Sequence, residues 1–545
     1  MSAGALNAAA RTAAIAELRA ARELDVLVIG GGVVGAGAAL DAAQRGLAVA
    51  IVEQHDWASG TSSRSSKLIH GGLRYLEMLD FGLVREALHE RGLQLTRLAP
   101  HLVHPVPFLF PLRGAFDRAY VGAGVLLYDV LSAAASGRGL PFHRHVSQAE
   151  ALRAAPALRP SALRGAVQYW DALVDDARHT MMLVRTAARY GARAISRARV
   201  TGLLRDGEAV VGAQVCDDET GASFPIRARR TILATGVWSD AMTALADAPA
   251  PFHVRASRGV HIVVARERIA ADTGIILRTE SSVLFVIPWG AHWIIGTTDT
   301  DDRGALADPA AGADDVAYLL EHVNRVLETP LTRADVEGVY AGLRPLVARG
   351  SGPSARVPRT HVVAAPRPGL IAVAGGKYTT YRVMAKDAVD AAVVGFAPAA
   401  PPSMSASAPL LGANGYAEAC ARRAQISAQY GLSDAQVTRV LERYGSLIDE
   451  VLVAEPGALL HGAPYLRAEI VYAVTHEDAR HLADVMERRT RLAFETRDGG
   501  LAAADEIARL MAHALGWTAD ERDAEVAAFR ASSAHDRRAL DTARG

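Results

Sequence analysis

Gly30-Gly31-Gly32-Val33-Val34-Gly35 sets glycines at the G-x-G-x-x-G spacing. A continuous apolar run, Asp25-Val-Leu-Val-Ile29, precedes it, and an alanine-rich stretch from Val34 to Arg45, ended by Gly46, follows. Strand, glycine turn and helix in that order suit a dinucleotide. Gly30 makes the tight turn, Gly32 lets the backbone approach a pyrophosphate, and Gly35 allows helix to pack closely on strand. The helix N-terminus offers N–H groups and a partial positive charge to phosphates. Glu53 ends the next apolar run, Leu47 to Val52, where a carboxylate can accept from the adenosine ribose hydroxyls and disfavours a 2′-phosphate. On this motif FAD and NAD both remain open. Two further features favour FAD. Ala234-Thr235-Gly236 ends a β-run beginning at Arg230 and suits a second turn against the dinucleotide. Gly375-Gly376, between a strand and a helix, points a second helix N-terminus, at Lys377, Tyr378 and Thr379, toward the flavin end.

These residues must be positioned by elements legible in the hydrophobic pattern. A helix is expected from about Asp176 to Tyr190, antiparallel strands over 250–300, strands near 361–365 and 370–374, and a helix from about Thr379 to Val393. Phe396 to Pro409 is Pro/Ala/Ser-rich and reads as a linker. Beyond it the pattern is helical almost throughout, and the last dozen residues are expected to fray. Arg11, Glu17, Arg19 and Arg22 interrupt the alanine-rich N-terminus, which reads as a short helix and not a signal peptide. Tyr120 to Ser136 is broken by Asp129 and too short to span a bilayer.

At 545 residues the chain is long enough for two or three domains. Lys plus Arg and Asp plus Glu both total 59, so no overall charge draws it to nucleic acid. An anion site must come from a few cations gathered by the fold. Cys216 and Cys420 form no CxxC pair, which excludes a dithiol redox centre or thiolate cluster and suits a reducing cytosol. His55, His101, His104, His179 and His361 lack metal-ligand spacing, and no metal is expected.

The run Ser62-Ser-Arg-Ser-Ser-Lys-Leu-Ile-His-Gly-Gly-Leu-Arg-Tyr-Leu-Glu77 closely resembles the FAD-dependent glycerol-3-phosphate dehydrogenases. The resemblance continues through Trp170-Asp-Ala-Leu-Val-Asp-Asp-Ala-Arg178, Phe285-Val-Ile-Pro-Trp289, Ile295-Gly-Thr-Thr-Asp299, Gly342-Leu-Arg-Pro-Leu346 and Gly375-Gly-Lys-Tyr-Thr-Thr-Tyr-Arg382. It reaches Glu477-Asp-Ala-Arg480 and Arg488-Arg-Thr-Arg491, in the same order throughout. It implies an α/β fold: a Rossmann-type FAD-binding domain interleaved with an antiparallel-sheet substrate domain, plus a C-terminal all-helical domain. The boundaries expected are an N-terminal helical extension (1–23), the interleaved domains (24–395, with the cap mainly in 95–170 and 250–345), the linker (396–409) and the helical domain (410–545).

The reaction it implies is oxidation of sn-glycerol 3-phosphate to dihydroxyacetone phosphate, hydride going to N5 of non-covalent FAD and electrons on to a membrane quinone. Motif position assigns a phosphate clamp to Arg74, Arg344, Arg359 and Lys377, with Tyr75 flanking the substrate. Arg344 sits in an otherwise apolar run, where an unpaired charge is costly to bury. Pro358 replaces the usual Ser or Thr before Arg359, which alters the loop there. His70 is the candidate base, its ordinary pKa lying near working pH, or else a hydrogen-bonding partner of the flavin. Thr61, Ser62, Ser63, Ser65, Ser66 and Lys67 are candidate donors to FAD.

A quinone acceptor implies peripheral contact with the inner face of the cytoplasmic membrane. Tyr120 to Leu131, with Arg113 and Arg118 upstream, is expected as a buried helix, with membrane contact the alternative. The helical domain leaves homodimerisation open. The rival readings are a glycerol-3-phosphate oxidase using oxygen, an amine- or amino-acid-oxidising flavoenzyme, and a non-catalytic flavin-binding regulator.

Overall fold

The computed structural model describes residues 4–20, 23–72, 80–136, 140–280, 283–302, 304–347, 359–455, 457, 460 and 463–541. Two sheets carry the described fold. The first runs in the order His361–Arg367, Leu370–Gly375, Ser223–Leu233, Leu24–Ile29, Val49–Val52, Arg193–Ile195. All its neighbours are parallel except the edge strand His361–Arg367. Val26, Leu27 and Val28 are wholly buried, because helices cover one face and a hairpin and the N-terminal helix cover the other. This double coverage explains the uninterrupted apolar run in the sequence. Helix Val33–Gln44 lies between helices Asp176–Arg189 and Tyr381–Ala392. A Cβ on Gly35 would fall 1.9 Å from the Gly30 carbonyl oxygen, so glycine is required where helix meets strand.

The second sheet has ten strands and is antiparallel except where Gly274–Arg278 pairs with Val103–Leu112. Its long members, Val254–Ala265 and Val336–Val347, run side by side. They carry their chemistry-bearing residues to the face turned toward the first sheet. The helices after residue 410 form their own cores.

Three local expectations differ from what is observed. The segment 396–409 is no free tether: Phe396, Ser405 and Ala408 are buried, the Ser403 hydroxyl donates to Asp41, and Arg382 donates to Ser405 Oγ at 3.2 Å. Its short polar side chains satisfy charges on the helices beneath, so a linker-like composition is compatible with a packed strap. Helix Ala519–Asp541 continues well into the last dozen residues, because Ala539 packs on the second sheet and its carbonyl accepts from Arg333 at 2.8 Å. Helix Ala115–Ser136 buries Val121, Val125 and Tyr128 but leaves Tyr120, Leu126, Leu127 and Val130 exposed. It is therefore only half a core helix.

The N-terminal helix Ala8–Arg19 is capped by Asn7, whose side chain accepts from Ala10 N at 2.9 Å. Just before it, Leu6 pairs with the C-terminal domain: its N–H donates to the His476 carbonyl at 3.0 Å and its carbonyl accepts from Asp478 N at 2.9 Å. Among the described residues no helix is long and apolar enough to cross a membrane.

Candidate active site

A cavity of about 1280 Å³ lies between the two sheets. At one end are Gly30, Gly32, Val33 and Val34, with Glu53 at the tip of the neighbouring strand. Burial raises the Glu53 pKa, and two backbone donors hold its oxygens: Gly31 N at 2.6 Å and His55 N at 2.8 Å. Ala234, Thr235 and Gly236 form the adjoining wall. Gly31 and Gly35 do not reach the cavity. They shape the turn, Gly31 through its bond to Glu53 and Gly35 through helix–strand packing.

The loop 61–70 crosses the middle of the cavity. Thr61, Ser62, Ser65, Ser66 and His70 line it. Ser62 Oγ accepts from Val33 N at 2.9 Å, which ties the loop to the first turn of the dinucleotide helix. Ser66 Oγ bonds His261 Nε2 at 2.8 Å. Ser63 and Lys67, expected as donors to FAD, are not among the residues that line the cavity. The Lys67 ammonium is buried against Asp176 Oδ1 at 2.7 Å and the Ser63 carbonyl at 3.1 Å. A buried carboxylate claims that charge, leaving none for a cofactor.

At the far end Arg344, Arg359, Gly376, Lys377, Tyr378 and Thr379 line the same cavity. Arg344 reaches it from strand Val336–Val347, its Nη2 donating to Thr297 Oγ1 at 2.8 Å and the Thr298 carbonyl at 3.1 Å. A Cβ on Gly259 of the partner strand would lie 2.3 Å from that nitrogen, so a side chain there would push the guanidinium out of this position. Arg344 and Arg359 also face one carboxylate, Asp299, at 3.5 and 3.7 Å. Burial lowers the Lys377 pKa to about 7. Arg74, Tyr75 and Pro358 lie outside the described residues.

Two histidines face this region. Burial lowers the His70 pKa to about 4, so its imidazole is neutral near pH 7. Thr379 Oγ1 is within hydrogen-bonding distance of both backbone atoms of His70, at 3.1 Å from its N and 3.2 Å from its O. His261 was not singled out by the sequence, yet it lines the cavity and stacks on Tyr340 at 4.8 Å between ring centroids. Burial, then the nearby cations Arg344 and Lys67, hold it neutral. A histidine in an alternating strand carries no spacing that would have marked it. Asp299 was equally missed, although it closes the Ile295–Asp299 motif. Neutral imidazoles are free to accept a proton, while the burial and cations that keep them neutral also make them weaker bases than an ordinary histidine. Among the described residues no cluster suits a metal ion.

A family model described as FAD dependent oxidoreductase matches residues 25–382. A second, described as the C-terminal domain of alpha-glycerophosphate oxidase, matches 403–522. Over 536 residues the chain is 53% identical to glycerol-3-phosphate dehydrogenase 2 of Mycobacterium tuberculosis, covering 97% of this chain and 91% of that protein. The chain belongs to the glycerol-3-phosphate dehydrogenase family of FAD-dependent oxidoreductases. It is 36% identical to the mitochondrial glycerol-3-phosphate dehydrogenase of Bos taurus, covering 95% of this chain and 74% of that one. The glycerol-3-phosphate dehydrogenase of Bacillus halodurans, solved in complex with FAD, superposes with a TM-score of 0.79 at 29% identity, covering 99% of both chains. The site agrees with the family's FAD. A glycine turn that tolerates no Cβ at Gly35, a buried carboxylate at Glu53 and a cation-lined far end fit a dinucleotide with room for a small anion.

Proposed function

We propose that this protein oxidises sn-glycerol 3-phosphate to dihydroxyacetone phosphate and passes the electrons to a membrane quinone. The observation that carries the reading is the convergence of Arg344 and Arg359 on one spot of the cavity that His70, His261 and Lys377 also line. FAD, when bound, supplies the acceptor for the carbinol hydride. The chain does the rest. Arg344, Arg359 and Lys377, with Arg74, clamp the phosphate, guanidinium forks matching its oxygens and the ammonium adding a point charge. By its motif position Tyr75 is assigned to the substrate. His70 takes the hydroxyl proton, its neutral imidazole being ready to accept it. Gly30, Gly32, Val33, Val34, Glu53, Thr61, Ser62, Ser66, Ala234, Thr235, Gly236, Gly376, Tyr378 and Thr379 hold the cofactor along the cavity.

Support for a peripheral membrane location comes from helix Ala115–Ser136. Leu126 and Val130 are exposed there outside the cavity lining, and the exposed Arg113 and Arg118 stand just before them in the chain, a combination suited to a bilayer surface. A second reading, oxygen as acceptor, is favoured by the match of residues 403–522 to an oxidase domain. Mixing the holoprotein anaerobically with glycerol 3-phosphate tests the oxidation, because the yellow colour must fade. Adding either a short-chain quinone or oxygen to the reduced protein then separates the acceptors by the rate at which colour returns.

A further inference from the structure

We propose that Arg491, in the C-terminal helical domain, is a positioning residue for the cofactor-facing loop 61–70. This rests on reading the cavity as the FAD site. A buried cluster beneath the loop engages the Lys67 ammonium and the Ser63 carbonyl. Its centre is Asp176, wholly buried, at the start of helix Asp176–Arg189. Asp176 Oδ2 accepts from Ser65 N at 3.0 Å and Ser65 Oγ at 2.7 Å. Asp176 Oδ1 accepts from Lys67 Nζ and from Arg491 Nη2, both at 2.7 Å. Arg491 also bonds Asp175 through Nη2, and its Nη1 donates to the Ser63 carbonyl at 3.3 Å.

Arg491 thus joins two carboxylates of one domain to a loop carbonyl, from a helical segment distant in sequence. Two adjacent buried carboxylates need cations on both sides. Arg443 faces Asp175 at 3.3 Å and Lys67 faces Asp176, but among the described residues only Arg491 touches both. Its planar fork does this through one terminal nitrogen while the other donates to Ser63, a spread that an ammonium, with its donors on a single atom, does not reproduce. Removing it leaves Asp176 with Lys67 as the one cation it still bonds among the described residues, and leaves Lys67 to hold the Ser63 carbonyl without Arg491. Ser65, Ser66 and His70 ride on that backbone, and a misplacement of about 1 Å in such groups costs on the order of 100-fold in rate.

Arg185 is the control. It is just as buried at the same interface, donating to Tyr472 OH at 2.9 Å and the Gly4 carbonyl at 3.2 Å, but touches nothing in the loop. The test compares Arg491→Lys, Arg491→Met and Arg185→Met holoproteins by amide hydrogen exchange over residues 61–70, FAD release on dilution, and thermal midpoint. Arg491→Met is expected to lose exchange protection in the loop and to release FAD about ten-fold faster, as for one lost charge-assisted bond. Arg491→Lys should lie between it and the parent. Arg185→Met should melt lower with loop exchange and FAD release unchanged. If Arg491→Met instead behaves like Arg185→Met, the proposal is overturned. Should Arg491→Met not fold, parent-like exchange in both Arg491→Lys and Ser65→Ala overturns it equally. None of these readouts needs substrate, so a parent that glycerol 3-phosphate fails to bleach would sink the proposed reaction and leave this inference standing.

Discussion

Arg344 and Arg359 face opposite oxygens of a single carboxylate: Nη1 of Arg344 lies 3.5 Å from Asp299 Oδ1, and Nη2 of Arg359 lies 3.7 Å from Asp299 Oδ2. Two guanidiniums held that close repel each other unless an anion lies between them or nearby. Asp299 keeps them together and aimed into the cavity, so a phosphate meets a clamp already assembled.

Arg344→Ala should therefore raise KM for glycerol 3-phosphate sharply and lower kcat/KM by roughly 10- to 100-fold, the worth of charge-assisted hydrogen bonds. FAD content, read from the absorbance ratio, should match the parent. Arg344→Lys should recover only part of the loss. Loss of FAD in either variant would show that the residue serves the cofactor.

The Lys377 proton gives a pH signature. Its pKa is lowered to about 7, so the clamp loses a charge as pH rises through that value. A descending limb of kcat/KM near pH 7 is expected, and Lys377→Arg should abolish it because a guanidinium stays charged. The same depression has a stability sign. Between about pH 7 and the ordinary 10.5 the unfolded chain holds this proton and the folded chain does not, so this group makes stability rise with pH across that window. In Lys377→Met that contribution to the slope should vanish from denaturation curves.

His70 and His261 can be told apart. With His70 as base, His70→Gln should lower the anaerobic bleaching rate by roughly 10²- to 10⁴-fold with KM little changed. His261→Gln, which keeps a partner for Ser66, should lose far less. The reverse order of damage would transfer the base role to His261.

Membrane contact predicts a separable defect. Leu126 and Val130 are each 52% exposed on helix Ala115–Ser136. The double variant Leu126→Ser, Val130→Ser should sediment poorly with anionic vesicles, each exposed leucine-sized group contributing up to about 1.5–3 kcal/mol of burial. Bleaching by substrate should stay at the parent rate. Unchanged sedimentation would remove this helix from the membrane-facing surface.

Much of the dinucleotide half was legible because its signals are local. The run Asp25–Ile29, the glycines after it and Glu53 sit within thirty residues of one another, and each reports its own backbone need. The far end was legible only through motif likeness, since Arg344, Arg359 and Lys377 meet by tertiary folding. Side-chain direction was the part that failed. Ser63 and Lys67 sit among residues that do line the cavity, and nothing local says that the Lys67 ammonium will pair with Asp176 or that the Ser63 carbonyl will accept from Lys67 and Arg491. His261 was invisible for the opposite reason: its neighbours in sequence are ordinary strand residues, and its partners Ser66 and Tyr340 come from elsewhere. The segment 396–409 shows the limit of composition, because proline, alanine and serine suit a packed strap as well as a tether.

The pairing of Leu6 with His476 and Asp478 also sets a schedule for biosynthesis. Residue 6 leaves the ribosome long before residue 478, so the Leu6 segment must wait without these two partners while the intervening chain is made. A chain halted before residue 476 would leave the Leu6 amide and carbonyl without these two partners, however well the nucleotide half had folded.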